Sequence, residues 1–359
     1  MVIGACGFVG TGSSALTDLL REYDEVAVFD QIEFNISYYP DGIEDLDYQI
    51  NEHRIKYMSS VVAIERFRKA VYNCLYHSKF DKNINLRIKE ATERFIDEIC
   101  DVRWKGMGAI DRVVFTQNNR YHKYKSMNMP LYYLGRYLKK LGLMYRNKEK
   151  CYGQSEYNFS MCPDDFDVKA CRFIFEVLEI LGLDPNKKVV LDQPFAGTNP
   201  LAAMKYFGQD AKAIIIDRDP RDNYILCKVC RKKRPDAFHT PVDTPEDYII
   251  YRKKTRESIV NKCNNDNILL MTLEELIYEY DKSVCKIEQF CGLQPSKNTR
   301  KYFDPSISIA NTQLVKKYPE YTEDVKKIEE KLQKHLFPFE KYGEVDNSGA
   351  VFFNHVNDK

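Results

Sequence analysis

The hydrophobic positions change period along this chain. Val2-Ile3-Gly4-Ala5-Cys6 is a short apolar run ending in a glycine-rich break, the pattern of a buried strand. Ser14 to Leu20 follows with Ala15, Leu16, Leu19 and Leu20 on one helical face, and Val26-Ala27-Val28-Phe29 reads as a second strand. Strand, helix and strand in about thirty residues form a βαβ unit, from which parallel sheets are built. Over 45–150 the rhythm turns helical: Ile55, Val62, Phe67, Val71 and Leu75, then Leu86, Phe95 and Ile99, then Leu131, Leu134, Leu138 and Leu141. The α/β pattern returns at Asp165. A helix carrying Phe173, Val177, Ile180 and Leu181 stops at Gly182, and strands are expected at 189–191, 213–216 and 268–271. A helix is expected from Asn199, another after the capping-box pair Thr272 and Glu275, and a last one with the stripe Val325, Ile328, Leu332 and Leu336.

The expected fold is α/β: a P-loop three-layer α/β/α arrangement with a central parallel sheet. It would be one domain over 1–345, with a helical insertion at about 45–160 and a C-terminal tail at 346–359. The chain has 359 residues and a formal net charge of +1, so no global field points to nucleic acid or an anionic membrane, and any anion site is local. There is no stretch of the roughly 20 apolar residues that spans a bilayer, and Met1 runs straight into the first strand; a cytoplasmic protein is expected. The 11 Cys are odd in number and follow no framework spacing, which fits free thiols in a reducing compartment. Cys227 and Cys230 form a CxxC with His239 downstream, but no second pair completes a zinc site, and no metal is expected.

Between the first strand and helix lies Gly7-Phe8-Val9-Gly10-Thr11-Gly12-Ser13-Ser14. It has the spacing GxxxxGK[ST] with Ser13 in the lysine position. Glycines let backbone N–H groups converge on a phosphate, the helix N-terminus adds positive potential, and small hydroxyls add donors. Gly10, Thr11, Gly12, Ser13 and Ser14 are therefore the candidate nucleotide cradle; a plain turn that starts a helix is the other reading. The order of glycines is wrong for a dinucleotide GxGxxG, and the absent lysine argues against an ordinary ATPase or GTPase. Further on, Ala211 to Asn223 runs from a β-branched strand into Arg218-Asp219-Pro220-Arg221-Asp222. This puts Arg218 at a strand's C-terminal end, where open α/β sheets bind ligands. The alternative is that Arg218 and Arg221 only pair with Asp217, Asp219 and Asp222.

In these stretches the chain resembles the sulfotransferases that use 3′-phosphoadenosine 5′-phosphosulfate (PAPS). Gly12-Ser13-Ser14 is similar to the end of that family's lysine-less loop, and residues 211–222 to its "AK-I-RDPRD" segment. Ile268 to Met271, Glu274-Glu275-Leu276 and Phe290-Cys291-Gly292-Leu293 are similar to its later strand, "E-[DE]-L" turn and "F-x-G-L" close. The resemblance covers 1–35 and 188–340 in order and leaves the helical middle outside. It implies PAPS as sulfonate donor, Arg218 on the nucleotide's 3′-phosphate, Glu33 beyond the second strand as general base with Asp30 as runner-up, and a glycan or small-molecule acceptor. The chain departs from the family at Gly10, where a basic residue is usual, at Leu226 and Cys227, where a serine is usual, and at Asp192 or Gln193, near a usual basic residue. The missing cation would come from the insertion, with Lys105, Arg112, Arg120 and Lys123 as candidates. Two other readings stand beside sulfonyl transfer. One is a P-loop kinase; the other is a catalytically silent nucleotide-binding protein of the same fold.

Overall fold

The computed structural model describes residues 1–52, 59–78, 80–107, 134, 137–138, 140–142, 154–161, 163–184, 187–233, 240–262, 265–295 and 300–350. The chain forms two compact units, Met1–Ser37 with Leu178–Lys359, and Tyr38–Val177. The elements run β1 (Val2–Gly7), α1 (Ser13–Leu20), β2 (Val26–Phe29), α2 (Ile43–Asp47), α3 (Ser59–Leu75), α4 (Lys82–Ile99), β3 (Val102–Met107) and β4 (Gln154–Phe159). There follow α5 (Phe166–Ile180), β5 (Lys188–Asp192), α6 (Pro200–Met204), β6 (Lys212–Asp217), α7 (Pro220–Lys233), α8 (Pro245–Lys262) and β7 (Ile268–Thr272). The last helices are α9 (Leu273–Tyr278), α10 (Tyr280–Cys291), α11 (Pro305–Ser308) and α12 (Thr322–Lys331).

In the first unit, β2-β5-β1-β6-β7 form one sheet in that order, and every pairing is parallel. Alternation sorts the side chains. Ile3, Ala5, Val190, Ile214, Ile216 and Met271 pack with Leu16, Leu19 and Leu20 of α1 and with Leu276, Val284 and Ile287 of α9 and α10. On the opposite face of β1, the ring of Phe195 lies over Gly4 and meets Phe207 edge-on at 4.9 Å. After β1 the chain leaves toward β2, and after β6 it leaves toward β7. The C-terminal ends of these neighbouring strands therefore flank a switch point, with Gly7 beside Ile216 in the ladder.

The second unit is mainly helical, with Phe67, Phe95 and Phe173 packed ring against ring from α3, α4 and α5. It also holds an antiparallel pair, β3 with β4, in a stretch expected to be helical only. Trp104 stacks on Tyr157 directly across that pair, at 5.2 Å; β3 is exposed over 102–105, β4 buries Tyr157 and Asn158, and neither strand carries an apolar run to signal it. The last helix also ends earlier than the stripe to Leu336 implies: α12 closes at Lys331, Leu332 leaves helical geometry, and a 3-10 turn at Gln333–His335 leads to an extended Leu336. Asn347 is buried and donates to the carbonyls of Ala310 and Thr312 at 2.7 and 2.6 Å.

The expected capping box is present. The Thr272 hydroxyl accepts from Glu275 N at 3.2 Å, and the Glu275 carboxylate accepts from Thr272 N at 2.7 Å. Thr272→Ala should lower stability by about 1 kcal/mol, the usual loss of an N-cap hydroxyl, without changing the denaturant m-value; urea unfolding measures both.

Candidate functional site

The glycine loop leaves β1 and enters α1 at the switch point. Two left-handed residues shape it, Gly10 at φ 72° and Gly12 at φ 96°, a region open to glycine at little strain. Gly12 is the N-cap and offers no side-chain cap, and the first amides of a helix have no intrahelical acceptor. Thr11 is fully buried and braces the loop from within: its hydroxyl accepts from Phe8 N at 2.8 Å and donates to Phe8 O at 2.9 Å, and its own amide donates to Phe8 O at 3.1 Å. Ser14 is exposed at the mouth of the helix.

Ser13 is tied to the neighbouring strand. Gly7 N donates to Gln193 Oε1 at 3.2 Å and Gln193 Nε2 donates to Ser13 Oγ at 3.0 Å, and the Ser13 hydroxyl acts on the nearby Asp192 carboxyl, favouring its charged form. Gln193 is held at φ 51°, an uncommon conformation for a residue with a side chain, and its amide donates to Ala5 O at 2.9 Å. Burial pushes the Asp192 carboxyl up to about 7, and the charges of Glu33 and Asp30 push the same way against the Ser13 hydrogen bond. Phe34 N donates to Asp192 O at 2.8 Å, which fastens the loop bearing Asp30 and Glu33 to the end of β5. Both of those carboxylates are exposed.

Arg218 follows β6 and is buried. Its Nη1 donates to Gly10 O at 3.2 Å and its Nη2 to Asn311 O, while Nε has no partner among the described residues. Arg221 takes the structural alternative, with Nε and Nη2 on the two oxygens of Asp219 at 2.9 and 2.8 Å and Nη1 on Glu329 at 3.0 Å. Asp217 accepts from Arg218 N at 2.8 Å, from Arg252 Nη2 at 3.0 Å, and from Arg256 Nη2 and Nε at 2.8 and 3.1 Å. Burial alone would raise its carboxyl; the two guanidinia outweigh it and hold it below the ordinary range. The Arg256 guanidinium also lies over the Phe8 ring, 3.4 Å from its centre. Arg252 and Arg256 are one turn apart on α8, a helix that the apolar pattern does not announce. Behind Arg218, Glu274 is buried and raised, by desolvation first and by Asp219 next.

The departures at Gly10 and at Leu226 and Cys227 meet in space. A Cβ on Gly10 would stand 2.7 Å from Leu226 Cδ2 and 3.5 Å from Cys227 Sγ. Asn223 Nδ2 and Cys227 Sγ reach Val9 O at 2.9 and 3.9 Å, so α7 is keyed into the side of the loop. Desolvation pushes the Cys227 thiol up to about 12, and no group able to hold a metal ion occurs among the described residues. Lys105 is exposed on β3 in the second unit; Arg112, Arg120, Lys123 and His239 lie outside the described residues. No helix among the described residues is long and apolar enough to cross a membrane.

No family model matches the chain, and no curated protein matches it. Among solved structures it is similar to the sulfotransferase domain of the curacin biosynthetic pathway, at 10% identity and a TM-score of 0.38 over 85% of this chain and 77% of that one. It is similar to the sulfotransferase domain of the Synechococcus PCC 7002 olefin synthase at 11% identity and a TM-score of 0.37, over 97% and 84%. It is also similar to sulfotransferase STF1 of Mycobacterium tuberculosis H37Rv at 14% and 0.35, over 84% and 69%. All three scores are low.

A lysine returned to the loop should not be accommodated. Gly10→Lys combines a left-handed backbone with the Leu226 collision and should cost about 2–4 kcal/mol. Adding Leu226→Ala should recover part of that, with a coupling of about 1 kcal/mol in a double-mutant cycle read by urea unfolding.

Proposed function

We propose that this chain is a PAPS-dependent sulfotransferase, which moves a sulfonate to the hydroxyl or amine of a glycan or small-molecule acceptor. The observation that carries the reading is the lysine-less glycine loop at the switch point, with Arg218 bound to its rim at Gly10 O. The residues fit a nucleotide bisphosphate in two respects: the uncapped N-terminus of α1 and the partnerless, buried Nε of Arg218. Gly10 to Ser14 would cradle the 5′ end and Arg218 would hold the 3′-phosphate. The donor supplies an activated sulfonate on a phosphate leaving group. Glu33, exposed beyond β2, would take the acceptor's proton. Ser13 in the lysine position weighs against a kinase. The apolar contact between Gly10 and Leu226 favours a second reading, a protein that binds the nucleotide without transfer.

Calorimetry with adenosine 3′,5′-bisphosphate, set beside ATP with Mg²⁺, tests the reading. Tight binding of the bisphosphate supports it, and binding of ATP alone shifts the assignment to a kinase. Arg218→Ala should weaken the bisphosphate by about 1.5–3 kcal/mol, the range for a charged hydrogen bond, in protein shown by circular dichroism to be folded.

Glu33→Gln separates enzyme from silent binder. It should leave bisphosphate affinity nearly unchanged and lower radiolabelled-sulfonate transfer by about 10²–10⁴-fold. Equal rates would make Glu33 a bystander and bring Asp30 forward.

A further inference from the structure

The glycine loop has no cation of its own. Ser13 stands in the lysine position, and Gly10 is closed off by Leu226. A doubly charged phosphate or sulfate end in such a loop needs its charge balanced from somewhere nearby. Next to Gln193, whose side chain bonds Ser13, stands an acid at the end of β5, Asp192, and it sits where ionisation is opposed by its surroundings. Its Oδ1 is buried with no hydrogen-bond partner among the described residues.

We infer that this loop takes up a proton on Asp192 when it binds a phosphate- or sulfate-bearing ligand, so that the proton serves where other loops use a lysine. The inference deepens the proposed function and rests on the same loop being the anion site. The exchange is a balanced one: ligand and one proton enter, and no bond other than O–H forms or breaks. With Asp192 ionised, the Ser13 hydroxyl is drawn toward the carboxylate, and its oxygen, already accepting from Gln193 Nε2, has nothing to give an anion. With Asp192 protonated, the carboxyl can donate to Ser13 Oγ and release the Ser13 hydrogen toward the ligand. One charge of repulsion also disappears.

The charged groups facing Asp192 act in one direction, and a neutral hydroxyl opposes them. Glu33 and Asp30 come from the loop after β2, and both raise its proton affinity. Cys6 on β1 is neutral, its own thiol pushed far up by burial. Ser13 on α1 opposes the rise through its hydrogen bond, and Arg21 is engaged with Asp30 through Nη2. The free carboxyl, raised to about 7, rises further when an anion arrives. The sign follows. Below the free value the carboxyl is already protonated and binding is insensitive to pH. Above it each binding event draws in a proton, and affinity falls by up to tenfold per pH unit until the liganded value is passed.

The test is proton uptake, with transfer activity playing no part. Adenosine 3′,5′-bisphosphate is titrated calorimetrically at pH 8 in two buffers of different ionisation enthalpy, against wild type and Asp192→Asn. Sulfate, which does not itself titrate in this range, is followed by thermal shift from pH 5.5 to 9. Wild type should take up close to one proton and lose sulfate stabilisation above pH 7. Asp192→Asn should take up none, bind at least as tightly at pH 8, and show flat sulfate stabilisation. Bisphosphate binding without proton uptake in wild type overturns the inference and leaves the proposed function standing. Uptake that persists in Asp192→Asn overturns it too, since the proton then goes elsewhere. Sulfate binding without bisphosphate binding removes the proposed donor and leaves the proton coupling to be read from sulfate alone. Failure to bind either anion overturns both.

Discussion

Asp217 terminates β6 inside a ring of N–H donors from Arg218, Arg252 and Arg256, and the loop side of the first unit is organised around it. One carboxylate faces two guanidinia in this clamp, and the buried acids Asp219, Asp222 and Glu274 stand close by around Arg218. The clamp also has mechanical consequences. It docks α8 against the sheet end, and through Arg256 on Phe8 it reaches the glycine loop itself. Arg252 adds a bond to Arg218 O at 2.6 Å, so the backbone that presents Arg218 is held from behind. Arg218 can then spend two of its five N–H donors on carbonyls and keep Nε unbonded.

This explains which parts of the fold the sequence made legible. The inner strands β5, β1 and β6 are buried through their middles and the edge strands β2 and β7 in part, and all five read as continuous apolar runs legible to within a residue or two at their ends. The loop was readable because glycine spacing between a strand and a helix is a local signal. Helix α8 was not. Its inward face carries Tyr248, Ile249, Arg252 and Arg256, so arginines stand where an amphipathic helix would show aliphatics, and ion pairing replaces the hydrophobic stripe. The β3–β4 pair escaped for a related reason, since β3 is exposed and β4 buries the polar Asn158 beside Tyr157, so neither shows apolar alternation.

The site residues divide along the same line. Gly10, Gly12, Ser13 and Arg218 were nameable because each sits in a local motif. Asp192 was visible only as a place where a basic residue was missing. What gives it chemistry is the parallel pairing of β5 with β1, which brings the end of one strand beside a loop that follows the other, far away in sequence. The contact between Gly10 and Leu226 is of the same kind. Read separately they are two missing groups; in space they are one apolar plug, in which a leucine occupies the volume that a side chain on the loop would need.

The C-terminal edge of the sheet is therefore electrically split. On the β6 side stand arginines that never lose a proton, held by Asp217 and Asp219, with the raised carboxyls of Glu274 and Asp222 buried among them. On the β5 and β2 side stand Asp192, Glu33 and Asp30, acids whose mutual repulsion favours protonation of the one among them most withdrawn from water. The glycine loop lies between the two and, with its own side-chain positions filled by serine, threonine and packing, adds no charge to either. On the proposed function, such a site would orient a ligand by polarity, with its permanently anionic end toward the arginines and its reactive end toward the acids. A lysine in the loop would blur that division by putting a fixed charge at the boundary. The plugged Gly10 keeps the boundary neutral, and under the coupling inferred above the acidic side would be set by the state of a proton.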